Sequence, residues 1–278
     1  MHLTLEQARE RARQVRAAFF DMDGTLLSNT THQVPPSASE ALHALQEAGF
    51  ALYIASGRQP AEVSVALDGK LDIEFDGMIT MSGSYCYDAD GVFRSETIPR
   101  EDVAAIVGQV QAGMYHLLVS ELGRTYCDAP KAQIVRDLEE ELNLHYEPAD
   151  LAQALDHDVY QFCGFLDAAD DHLITEVAPH VRTTRWHPLF CDIIPIGSGK
   201  PEGVRMACER RGLGLENAIA FGDGENDESM LRAVGVGVAM ANGDEASRGA
   251  ADYVTDSVDE HGIWNACVRL GLIPGEPR

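Results

Sequence analysis

Five short apolar runs punctuate the chain: AAFF before Asp21, ALYIA before Ser56, GMITM before Ser82, AIAF before Gly222 and VGVGVAM before Ala241. None alternates with polar residues and none is long enough for a helix, which predicts strands buried on both faces of a parallel sheet. Helix punctuation lies between them. Pro36 and Ser37 open one helix that stops at Gly49, and Gly199 to Arg211 reads as another that stops at Gly212. The alternation predicts an α/β chain built on a doubly wound, mostly parallel, Rossmann-like sheet. Polar residues gather just after the strands, at the carboxyl ends where open α/β sheets bind ligands.

Between Ser84 and His187 the pattern changes. A hairpin signal, YCYDADGVF with Asp90-Gly91 at its turn, precedes a helix from Glu101, a strand YHLLVS, a helix over Ile134 to Leu142, a strand VYQFCGF and a further helix. The buried-strand pattern resumes with FCDIIP at Phe190. Residues 84–187 are therefore expected to be an inserted α/β unit, within a core formed by 1–83 and 188–278. Thr4 and Gln7 form a capping box before a charged stretch, which predicts a surface helix leading into the first strand rather than a signal peptide.

Charge narrows the partners. The 278 residues carry 21 basic and 45 acidic side chains, a formal charge of -24, which repels nucleic acid and anionic membrane. An anionic substrate would need local positive charge from a metal, a lysine or helix ends. Hydrophobic residues make up 45% of the chain, normal for a globular protein. No apolar run nears the ~18 residues that cross a bilayer. The six cysteines form no CxxC pair and read as reduced, buried thiols, so a cytoplasmic protein is expected, monomeric or a weak homo-oligomer.

Four segments carry candidate chemistry. In FFDMDGT, Asp21 and Asp23 stand two apart, and Gly24 permits a turn that brings both carboxylates to one mouth. Such a pair suits phosphoryl transfer, one carboxylate attacking phosphorus and the other handling the leaving-group proton. An Asp-Gly turn with solvated acids is the plain alternative. The twelfth position from Asp21 is His32, so this is no EF-hand. In AFGDGENDESML, Asp223, Glu225, Asp227 and Glu228 crowd behind a strand, an arrangement that invites a hard divalent ion or reflects an acidic helix start. In IASGR, Ser56 and the Gly57 amide could meet an oxyanion. Lys200 in IPIGSGKPEG opens a helix, where its charge is unfavourable unless an anion sits there. A Walker loop is excluded because Ile194 stands where its first glycine belongs.

In this order, DxDGT, SGR, a glycine-flanked lysine and GDGEND resemble the haloacid-dehalogenase-like phosphohydrolases, and the long insertion resembles the Cof-type branch with its α/β cap domain. The resemblance covers nearly the whole chain after Arg16 and extends to VAMANGDEASRGAADYVT. It implies a Mg²⁺-dependent phosphatase of small phosphorylated metabolites. Asp21 would form an aspartyl phosphate, and Asp23 would act as general acid and base. Mg²⁺ would lie on Asp21, the Asp23 carbonyl and Asp223, with Asp227 behind them. Ser56, Gly57, Lys200 and Asn226 would hold the phosphoryl oxygens. The chain departs from many relatives at Ser82, where they carry asparagine.

Sugar phosphates are the first expected substrates, with flavin or pyridoxal phosphates behind them. A phosphotransferase or phosphomutase on the same scaffold is the alternative. Among residues of the insertion, His116, Tyr126, Arg185 and His187 read as packing or surface residues rather than specificity elements.

Overall fold

The computed structural model describes residues 2–129, 132–142, 145–187 and 190–278, without the side chains of residues 141, 142, 186 and 187. Helix α1 (Leu5–Ala12), started by the reciprocal Thr4–Gln7 capping box, leads into β1 (Ala17–Phe20). Then come α2 (Pro36–Glu47), β2 (Ala51–Ala55), α3 (Pro60–Leu67), β3 (Gly77–Thr80), and the hairpin β4 (Tyr85–Asp88) and β5 (Gly91–Ser95). The middle of the chain supplies α4 (Arg100–Gln111), β6 (His116–Glu121), β7 (Arg124–Cys127), α5 (Gln133–Leu142), β8 (Glu147–Pro148), β9 (Val159–Phe165), α6 (Asp171–Val177), β10 (Val181–His187) and β11 (Phe190–Pro195). The last part adds α7 (Lys200–Arg210), β12 (Ala218–Gly222), α8 (Glu228–Ala233), β13 (Val236–Ala239), α9 (Glu245–Ala250), β14 (Tyr253–Val254) and α10 (Gly262–Leu270).

The first sheet runs β14-β13-β12-β1-β2-β3-β4-β5 and is parallel from β14 to β3. Helices cover both faces. One apolar cluster joins α1, α2 and α10 to Phe20, Ile54 and Phe221, and another joins α7 and α8 to Phe19, Tyr53 and Ala220. β1 and β2 are buried throughout, which explains their uninterrupted apolar sequences. The connection from β1 goes outward to β2, whereas β12 returns on the other side of β1. Asp21 therefore follows the strand at the topological switch point, where a crevice opens.

A second sheet, ordered β10-β11-β9-β6-β7-β8, stands over that crevice. Its membership corrects the expected boundaries at 84 and 187. The hairpin β4-β5 pairs antiparallel on the edge of β3 and so belongs to the first sheet. FCDIIP does not resume the first sheet: it is β11, paired antiparallel with β9 and β10. The strand is buried along its whole length, so its run of apolar residues imitates a parallel core strand. The hairpin turn also sits one residue earlier than expected, on Ala89 and Asp90.

A tight corner after β3 joins the sheets to the site. Met81, Ser82 and Gly83 all take left-handed φ, at 50°, 52° and 86°. A Cβ on Gly83 would lie 2.1 Å from the Gly199 carbonyl oxygen, at the start of α7. Gly83→Ala should therefore cost at least about 2 kcal/mol of stability, because strain in the left-handed region adds to a backbone clash. Urea unfolding that gave the variant wild-type stability would contradict this account of the corner.

Candidate active site

Lys200 begins α7 and is 2% exposed, an unusual position for a charge. Its Nζ donates to Asp21 Oδ1 at 2.5 Å and to Asp227 Oδ1 at 2.6 Å. The other oxygen of Asp227 accepts from the backbone amides of Asp223 and Gly224, at 3.0 and 3.1 Å. Asp227 is thus fully engaged and fixes both the lysine and the loop after β12. Asp223 accepts from Thr25 Oγ1 at 2.7 Å, and its carbonyl oxygen accepts from Ser247 Oγ at 2.7 Å. Gly24, at φ +80°, passes so close to Asp223 that a Cβ would sit 2.1 Å from its Oδ2. The expected turn after Asp23 is what allows these two loops to meet.

Carboxylate oxygens of Asp21, Asp223 and Asp227 lie within 4.8 Å of one another. Burial, then the charge of Asp227, push the Asp21 carboxyl up to about 7, against the pull of Lys200. Burial and the charges of Asp21 and Asp227 raise Asp223 well above the usual carboxylate range. Burial disfavours the charge on Lys200, but Asp21 and Asp227 outweigh it and hold the ammonium well above its ordinary value. Three carboxylates against one ammonium leave an excess of negative charge when all are ionised. Such an all-oxygen set suits a hard divalent cation.

Asp23 lies across the crevice. Its carboxylate is gripped by Arg58, with Nε to Oδ2 at 2.8 Å and Nη2 to Oδ1 at 2.7 Å, a bidentate pair. The SGR turn that carries Arg58 is tied to the Met81–Gly83 corner: Arg58 N donates to Ser56 Oγ at 3.1 Å and Ser82 N to Ser56 O at 3.0 Å. Ser56, Gly57 and Asn226 line the same cavity as Asp21, Asp23 and Asp223. The eight residues to which the family resemblance gives a role thus gather around one crevice.

Several lining residues were not singled out. Arg58 was legible in IASGR as a cation after a strand end. Glu62, Tyr146, Gln161 and Asp192 had no local signal, since only the second sheet brings the last three over the crevice. Of the insertion residues read as packing or surface, Arg185 pairs with Asp171, Tyr126 is buried against Glu121, and His116 pairs with Asp128 on the surface. The side chain of His187 lies outside the described residues.

Residues 18–267 match the family described as haloacid dehalogenase-like hydrolase. The chain belongs to this family. The hydrolase is 30% identical to the putative phosphatase YkrA of Bacillus subtilis, over 92% of this chain and 97% of that protein. It is 29% identical to the pyridoxal phosphate phosphatase YbhA of Escherichia coli, over 87% of this chain and 96% of that one. The solved structure of the subclass IIB sugar phosphatase BT4131 superposes with a TM-score of 0.85 at 34% identity, over 93% of this hydrolase and 100% of that chain. The inserted sheet agrees with the Cof-type branch that the sequence resembles. All six cysteines of the hydrolase are free and buried, and among the described residues no helix is long and apolar enough to cross a membrane.

Asp192 generates a prediction. It is buried, accepts from Ser82 Oγ at 3.2 Å, and burial pushes its carboxyl up to about 7 against that hydrogen bond and Lys200. From about pH 4 to about pH 7 the unfolded chain has released this proton while the folded chain keeps it, so stability falls as pH rises through that window. Asp192→Asn removes this penalty. Its stability relative to wild type should rise by a few kcal/mol between pH 4 and pH 8. Parallel pH profiles in urea unfolding would show that Asp192 titrates normally.

Proposed function

We propose that this hydrolase is a phosphatase of small phosphate monoesters, sugar phosphates first, working through an aspartyl phosphate on Asp21. The observation that carries this is the Asp21 carboxylate pinned 2.5 Å from a buried lysine, inside a three-carboxylate cluster that opens on Asp23 and Ser56. The relatives' named activities toward pyridoxal phosphate and sugar phosphates support a monoester substrate. The second sheet and its helices serve as the cap domain over the crevice.

In this reading an Asp21 oxygen attacks phosphorus while Asp23 protonates the departing alkoxide. Asp23 then takes a proton from water, which attacks the phosphoryl group and frees Asp21. Lys200, the Ser56 hydroxyl, the Gly57 amide and Asn226 hold the phosphoryl oxygens. Mg²⁺ held by Asp21, Asp223 and the Asp23 carbonyl, with Asp227 behind them, would supply charge that offsets the repulsion between anionic nucleophile and anionic substrate. Arg58 orients Asp23, and one of its two bonds to that carboxylate must open for Asp23 to carry the proton it donates.

Chelation should abolish turnover, and Mg²⁺ should restore it far better than Ca²⁺, which favours more ligands at longer distances. Because protons compete for the raised carboxyls of Asp21 and Asp223, Mg²⁺ should raise the Tm more at pH 8 than at pH 5. Full activity in chelator, or a Mg²⁺ shift independent of pH, would count against the metal.

Asp23→Asn should slow phosphorylation by a sugar phosphate by about 10² to 10⁴, and far less by p-nitrophenyl phosphate, whose leaving group needs no proton. Rapid mixing with the nitrophenyl ester should give a burst of nitrophenolate and a lasting phosphoenzyme, whereas Asp21→Asn gives neither. Equal slowing for both esters, with no trapped phosphoenzyme, would take the acid and base role from Asp23.

A further inference from the structure

The two faces of the second sheet differ in chemistry. One packs α4 and α6 against an apolar cluster that includes Val103, Ile106, Phe162 and Ile174. The opposite face is covered in part by α5, through Leu118, Val135, Leu138 and Cys163. Beyond α5 this face turns polar, with Ser120, Thr125, Gln161 and Asp192 lining the cavity above Asp21 and Asp23. They are neighbours in register: Ser120 pairs with Thr125 on one side and Gln161 on the other.

Most of this roof is already satisfied. Thr125 Oγ1 donates to Glu62 at 2.7 Å, and Asp192 accepts from Ser82. Gln161 differs. It is 6% exposed, yet its Oε1 has no hydrogen-bond partner among the described residues. A buried carboxamide in this state at a cavity wall calls for a partner that enters the cavity, water or the hydroxyl that displaces it. A hydroxyl fits it in either amide orientation, because it both donates and accepts.

Charge restricts the ligand further. Arg58 is the one basic side chain among the described residues lining the cavity, and it faces Asp23. Glu62 and Asp192 are acids in the same wall. Among the described residues of this wall, the one cation that could face a second phosphate or a carboxylate is already paired with Asp23, so a neutral leaving group fits better.

We propose that Gln161 is the specificity-determining contact for the leaving group, taking a hydroxyl of an uncharged polyol, and that the surrounding wall disfavours a second anion. The inference rests on the phosphatase reading for the position of the phosphoryl group, but Gln161 can be tested by binding alone. In wild type with Mg²⁺, hexitol monophosphates should be turned over at least about tenfold better than the corresponding bisphosphates. Gln161→Leu should lower the ratio of kcat/KM for a hexitol phosphate to that for p-nitrophenyl phosphate by about tenfold or more, the scale for removing a buried polar contact. Removing the hydroxyl that Gln161 meets should cost wild type a similar factor and the variant almost nothing.

A non-hydrolysable hexitol phosphonate gives the independent readout. Calorimetry should show the ratio of its Kd to that of inorganic phosphate rising about tenfold in Gln161→Leu. A chain that binds the phosphonate in this way but turns over no ester would support the Gln161 contact and remove the phosphatase reading. An unchanged ratio in both assays, or a preference for bisphosphates, would overturn the inference.

Discussion

The site depends on a buried ammonium. Lys200 stands at the first position of α7, where the helix dipole opposes it, and almost no water reaches it. It is tolerable there only because Asp21 and Asp227 flank it. Each carboxylate comes from a different loop, so one cation joins the end of β1, the end of β12 and the start of α7. Removing Lys200 leaves two buried carboxylates facing each other without their shared cation, a defect worth about 3–5 kcal/mol. The rest of the crevice is arranged around this knot.

The same knot accounts for an anion-directed site in a strongly acidic protein. The formal charge of -24 keeps polyanions away at long range. Close to Asp21 the lysine acts over less than 3 Å in a site sheltered from water, where Coulomb interactions are weakly screened. The carboxylates that exceed it in number form a set for a divalent ion, so bound metal would turn a locally negative crevice into an attractive one.

Sequence reasoning reached the knot but not its roof. Asp21, Asp23, Asp223 and Lys200 are legible because each follows a strand or opens a helix, the last three with glycine beside them, and such positions point out of a parallel sheet. The first sheet was legible for a related reason, since burial on both faces leaves an unbroken apolar signature. That signature misled at FCDIIP. β11 is buried on one face by helices of its own layer and on the other by the crevice and α5, and nothing local distinguishes this from a strand of the first sheet. By sequence Asp192 therefore reads as part of the first sheet, and nothing within VYQFCGF marks Gln161. Their facing depends on pairings among β6, β9 and β11, which join segments distant along the chain.

The position of β1 at the switch point also sets an order of assembly. β2 can pair with β1 as soon as residue 55 is synthesised, but the other edge of β1 waits for β12, about 200 residues later. All six strands of the second sheet lie between His116 and Pro195, so every pairing within it is available before that edge closes. On the ribosome, the half-finished first sheet thus carries an open central strand ending in Phe19 and Phe20, a template for association with other nascent chains. The strand that places Asp21 is the one whose exposure chaperones would have to manage longest.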